Sequence, residues 1–173
     1  VAVTSGPARR FIVGDPAIQY IDTLAGATIA RLAAGEQLAL KGEVLLDNAS
    51  ITILGSAVQV VEWRSAESRD NFAVLGTASL PISPTEPGDL LEVAPAIIKP
   101  WLLRAVYIRE EGGFGAFLTE LRPTVALFLR FEGIDYDKDE AAGEKLDDVI
   151  RQVQASISRY EGTLLQVTIG DKG

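Results

Sequence analysis

Val125-Ala126-Leu127-Phe128-Leu129-Arg130-Phe131-Glu132-Gly133 is the stretch on which the fold turns. The apolar run Val125–Leu129, leading into Arg130-Phe131-Glu132-Gly133, reads as a strand followed by a loop. The run Glu140–Tyr160 follows. Its Leu146, Val149, Ile150, Val153 and Ile157 recur at helical spacing, and Asp147, Asp148, Arg151, Gln154 and Ser158 are placed toward water. A second apolar run, Leu164–Ile169, leads into Gly170-Asp171. The order predicts strand, loop, helix, strand. If the strands are parallel neighbours, the crossover is right-handed. A chain that stops on a Gly-Asp pair directly after a strand is expected to stop inside a domain.

Outward from this segment, composition marks off two more regions. Residues 1–79 begin with a strand tail at Val1–Thr4, a Ser5-Gly6-Pro7 turn and a short strand at Arg10–Val13. Gly14-Asp15-Pro16 has helix-start chemistry, because Asp caps and Pro suits the first helical position. A helix is predicted through Ile18, Ile21, Leu24, Ala25, Ile29 and Leu32, with Gly35 ending or bending it. Glu43–Asp47 reads as a strand, and Ser50–Leu54 is open between helical turn and strand. Val58–Trp63 and Phe72–Leu75, split by the polar Ser65–Asn71, read as an antiparallel hairpin.

Residues 80–121 read as a connector. Pro81, Pro84, Pro87 and Pro95 punctuate it, and Glu110–Gly115 is a glycine-rich break. Between them Ala96–Ile108 is predicted helical, with Pro100 placed either to interrupt its first turn or to open a new helix. A further helical turn is expected at Phe117–Leu121. Gly112-Gly113-Phe114-Gly115 neither follows a strand nor opens a clear helix, so it reads as a hinge and not as a phosphate loop.

Composition narrows the chemistry. Hydrophobic residues are 47% and charged residues 23% of 173, as in packed globular chains. A net charge of −8 argues against nucleic acid as a partner. No apolar run reaches eighteen residues, so no membrane span is predicted. With no cysteine there is no disulfide and no Cys-ligated metal, and a cytoplasmic setting is expected. With no histidine, the commonest general base and transition-metal ligand is missing. Catalysis would need carboxylates, lysine, arginine, hydroxyls or a hard metal ion.

Residues 122–173 resemble the start of a class III nucleotidyl (adenylate/guanylate) cyclase domain: strand, Gly133 loop, helix, and a Gly170-Asp171 turn. Residues 1–79 resemble the back half of such a domain, through Arg9-Arg10-Phe11-Ile12-Val13-Gly14-Asp15, a helix, Lys41-Gly42-Glu43-Val44-Leu45-Leu46 and the closing hairpin. Back half, connector and front half together look like the junction of tandem cyclase domains in bacterial relatives of soluble adenylyl cyclase. The resemblance implies an α+β fold of incomplete ferredoxin-like modules. It implies a cyclic-nucleotide-forming parent that uses ATP or GTP with Mg or Mn, in signal transduction. It also implies self-association, or a partner half-domain, with strands of the two halves sharing one sheet.

Cyclisation by this family needs two carboxylates to hold two hard metal ions. Asp171 stands at the second of these positions, while the first falls on Arg130, which cannot ligate a metal. Asp15 and Gln19 are the nucleotide-contact candidates, Gln19 standing where the family has an asparagine; no arginine follows until Arg31. Catalytic residues are not assigned, and no cofactor is expected in this chain alone. Plainer readings stand beside these. Arg130 and Asp171 could be an ion pair, Asp15 a helix cap, Arg9-Arg10 a solvated strand edge, and Trp63 and Trp101 packing residues. A non-catalytic sensor or dimerisation module of the same fold is the rival to the enzyme.

Overall fold

The computed structural model describes residues 1–79, 88, 92–113 and 123–170. The chain is mixed α and β and divides into two compact units. The first comprises Val1–Arg10, Leu24–Gly88 and Ile169–Gly173; the second comprises Phe11–Thr23 and Asp89–Thr168.

The first unit is built on a mixed four-stranded sheet. Its strands are β1 (Ala2–Val3), β4 (Leu45–Asp47), β5 (Val58–Ser65) and β6 (Asn71–Ala78), in the order β1-β4-β6-β5. β1 runs parallel to β4, and the other pairs are antiparallel. The hairpin expected at Val58–Leu75 is therefore present, longer than its apolar cores, with a register shift beside Val60. Leu45, Phe72 and Val74 form a cluster, and Ala34 and Leu38 of helix α1 (Ala27–Leu38) pack against it. Arg64 links β5 to the start of β4 through a two-pronged ion pair with Glu43, at 2.6 and 2.8 Å, and also bonds the Leu38 carbonyl.

The expected helix from Asp15 to Leu32 is not one element. Pro16–Ile18 is a turn, strand β3 occupies Ile21–Ala25, and α1 starts after Gly26. The turn keeps the helix-start chemistry: Asp15 accepts Ala17 N–H on its side chain, and Ile18 and Gln19 N–H on its carbonyl. Beyond it the pattern has period two. Ile21, Thr23 and Ala25 are buried while Asp22 and Leu24 are exposed, and that alternation is a strand's. β3 pairs with β2 (Arg9–Val13). Gly26, at φ 114°, makes the bend that lets the helix begin.

Gly35 does not end α1. The helix continues to Leu38, and a Cβ at Gly35 would lie 2.6 Å from the Phe72 ring and 3.1 Å from the Ala2 Cβ. Residues 50–54, open in the sequence, are helical within α2 (Asn48–Leu54), because Asp47 caps the helix by accepting Ser50 N–H.

In the second unit the expected helix over Glu140–Tyr160 is α5 (Ala142–Ser158). Glu161 takes a left-handed φ of 57°, and Gly162 N–H returns to the Ile157 carbonyl to close the end. The connector holds α3 (Pro95–Ile98), a 3₁₀ turn at Lys99–Trp101 and α4 (Arg104–Glu111). The single helix expected there is not continuous: α3 ends at Ile98, Pro100 lies in the first positions of the 3₁₀ turn, and Leu102 is extended before α4. The strands expected at Val125–Phe131 and Leu164–Ile169 do not form among the described residues, so the composite sheet is not present there. Val125 and Phe128 are 97% and 93% exposed. A strand needs a hydrogen-bonded neighbour, and among the described residues no strand pairs with either run. The expected turn at Phe117–Leu121 and the Pro81–Pro87 loop lie outside the described residues.

Replacing Gly35 tests this packing. Gly→Ala in an exposed helix interior gains about 1 kcal/mol. Here Gly35→Ala should instead lose about 1–3 kcal/mol, the cost of overpacking a closed core. Urea denaturation measures the sign, and a stabilised variant would contradict the Gly35–Phe72 contact.

Candidate functional site

Asp15 and Gln19 sit in the turn between β2 and β3, and α5 docks on that turn. Gly14 N–H donates to Asp147 Oδ1 at 2.7 Å. Asp15 N–H donates to Gln154 Oε1 at 2.8 Å, and Gln154 Nε2 donates to the Gln19 carbonyl at 2.8 Å. Asp147 and Gln154 are seven residues apart on α5, two helical turns, so they present on the same face. Asp147 also binds Arg151 at 2.6 Å, and that carboxylate pushes the Arg151 pKa up. Gln154 is only 1% exposed, although the sequence pattern places it toward water. It extends the buried positions Ala142, Leu146 and Ile150 by one more step of four. A buried carboxamide costs stability unless both its ends are bonded, and here both are.

The turn is closed to alternatives. Gly14 has φ 106°, and a Cβ there would sit 2.5 Å from the Gln19 carbonyl oxygen and 2.9 Å from Gln154 Nε2. Asp15 thus acts as a turn-former, with its side chain on Ala17 N–H. Gln19 contributes its backbone to the α5 contact. Arg130 pairs with Glu132 at 2.6 Å, both largely exposed. Asp171 lies outside the described residues. Among the described residues no group of three or more acidic side chains converges as a metal site.

Sequence reasoning missed a second polar constellation, in the first unit. Asp47, 2% exposed, accepts Ser50 N–H at 2.8 Å, Ser5 N–H at 3.3 Å and Arg31 Nε–H at 3.4 Å. The Ser5 and Ser50 hydroxyls meet at 2.9 Å. Arg31 further donates to the Ser5 carbonyl, and Thr28 donates to the Pro7 carbonyl at 2.6 Å. The detectable signal was Asp47 ending an apolar pair ahead of Asn-Ala-Ser, a helix cap. The long-range partners had none. Burial alone would raise the Asp47 pKa, but the bonds from Ser50, Ser5 and Arg31 outweigh it and hold the carboxyl below its usual range. Chemically the group is a saturated anion–cation hub that ties the exit of β1 to α1 and α2.

Comparison with family models, curated proteins and solved structures returns no match.

The Asp47 hub gives a pH signature. A carboxyl depressed in the folded state stabilises above its unfolded value, about 3.9, and that stability is lost as pH falls through the folded value. Asp47→Asn keeps a capping oxygen but removes the charge that faces Arg31. It should lose about 1–3 kcal/mol at neutral pH, as expected when buried donors are left poorly met. The gap to wild type should close in acid. Urea midpoints of both proteins across the acid range measure this, and a gap independent of pH would refute it.

Proposed function

We propose that this chain is a non-catalytic part of a nucleotidyl-cyclase-type signalling protein, working by self-association or with a partner half-domain. The carrying observation is that the backbone donors at Gly14 and Asp15 are engaged by Asp147 and Gln154. Residues that could have met a nucleotide instead hold α5. Two further features agree. Arg130 stands where a metal-binding carboxylate is required, and it faces Glu132. Arg31, the first arginine after Gly14-Asp15, is engaged by Asp47 and the Ser5 carbonyl. In the intact parent, ring closure would join the ribose 3′-oxygen to the α-phosphate of ATP or GTP and release pyrophosphate. Mg or Mn would be held there by carboxylates this chain does not supply as a pair. The setting we propose is cytoplasmic. No helix among the described residues is long and apolar enough to cross a membrane.

Purified chain incubated with ATP or GTP and manganese should form no cyclic nucleotide above an Asp171→Ala control. Thermal unfolding should not shift with nucleotide, whereas a ligand at a hundred times its Kd would stabilise by about 2.7 kcal/mol. Metal-dependent cyclic nucleotide that disappears in Asp171→Ala would overturn the non-catalytic reading.

A further inference from the structure

The Gln19 carbonyl and the Tyr20 N–H belong to one peptide unit. The carbonyl accepts from Gln154 Nε2 of α5 at 2.8 Å. The N–H donates to the Pro100 carbonyl of the connector at 2.6 Å. A peptide unit is planar and resists twisting, so its two ends cannot reorient independently. Rotation that releases Gln154 also swings the Tyr20 N–H away from Pro100. The chain Gln154 N–H, Gln19–Tyr20 peptide, Pro100 carbonyl is also a run of aligned dipoles, in which each bond strengthens the next.

Side chains reinforce both ends. On the connector side the Tyr20 and Trp101 rings lie 5.4 Å apart, tilted by 51°. On the helix side Gln154 also holds Asp15 N–H, and Asp147 holds Gly14 N–H. Pro100 suits its role: with no N–H it cannot continue a helical ladder, and the chain extends at Leu102.

We propose that the Gln19–Tyr20 peptide is a mechanical relay coupling the connector at Pro100–Trp101 to helix α5. A displacement of either is transmitted to the other through one rigid plane. This goes beyond the functional reading above, and it stands whether or not that reading does, because neither nucleotide nor metal takes part.

Hydrogen exchange on the full chain tests it without any ligand. In Gln154→Ala the amides of Tyr20 and of Pro95–Glu111 should exchange about fivefold faster, the low end of coupling between distinct sites. Gln152→Ala, on the exposed side of α5, should leave them unchanged. Coupling is reciprocal, so Trp101→Ala should speed exchange in α5 around Gln154. Amides of the first unit near Leu45 and Phe72 should keep their wild-type rates in both variants, which separates relay loss from general unfolding. If Gln154→Ala unfolds the chain, Gln154→Met keeps the buried bulk and removes both bonds, and the same connector response is expected. Faster exchange confined to Gly14–Gln19, with Pro95–Glu111 unchanged, overturns the relay. So does a Trp101→Ala variant with unaltered α5.

Discussion

The second unit depends on what Gln154 does with its carboxamide. A turn between two short strands leaves backbone groups without ladder partners, and buried groups of that kind must be bonded somewhere. Gln154 supplies an acceptor and a donor from one planar group, to Asp15 N–H and to the Gln19 carbonyl. Neither Asn nor Glu could replace it in kind: Asn is shorter by a methylene, and ionised Glu has no donor. The buried stripe Ala142, Leu146, Ile150 seats α5, and Gln154 sets where along the turn it sits.

Asp47 plays the corresponding part in the first unit. It ends β4, caps α2 and receives Ser5 and Arg31. β1 and β4 are very short, so few ladder bonds fix the loop after β1. Several hydrogen bonds to one buried carboxylate do that instead, and charge-assisted bonds are about twice as strong as neutral ones. Both units thus rely on a buried polar side chain where regular structure runs out. Such a group is tolerated only when fully bonded, which makes the arrangement specific as well as stable.

What was legible in the sequence follows from the same physics. α5 was readable because its 3.6 period extends over many residues, and the β5–β6 hairpin because two β-rich runs flank a polar turn. The stretch Asp15–Leu32 carries a helical pattern because Ile18, Ile21, Leu24 and Ala25 fall on one helical face. Apolar spacing over five residues does not separate period two from period 3.6. Burial of alternate residues in β3 decided it. Val125–Phe131 has the composition of a strand, but a strand also needs a pairing partner, which the run itself does not encode. For the candidate site, the short-range bond from Ala17 N–H to Asp15 is legible, but it closes a turn and does not cap a helix. Asp147 and Gln154 were placed toward water because their partners lie more than 130 residues earlier in the chain. No pattern within α5 announces them.

Gly14 shows why the turn and the helix must be considered together. Its positive φ aims the Gly14 N–H at Asp147, and the missing Cβ leaves room for the Gln154 carboxamide. A side chain there would be strained and would collide with the Gln19 carbonyl, the same group that Gln154 must reach. The glycine is therefore required twice, once by its own backbone and once by its neighbour. A Gly-Asp pair invites a ligand reading because exposed N–H groups in such turns suit anions. Here the anion is the protein's own Asp147, placed on α5 with a cationic Arg151 one turn further on. The chemistry that would suit a phosphate instead fixes one segment of the chain to another.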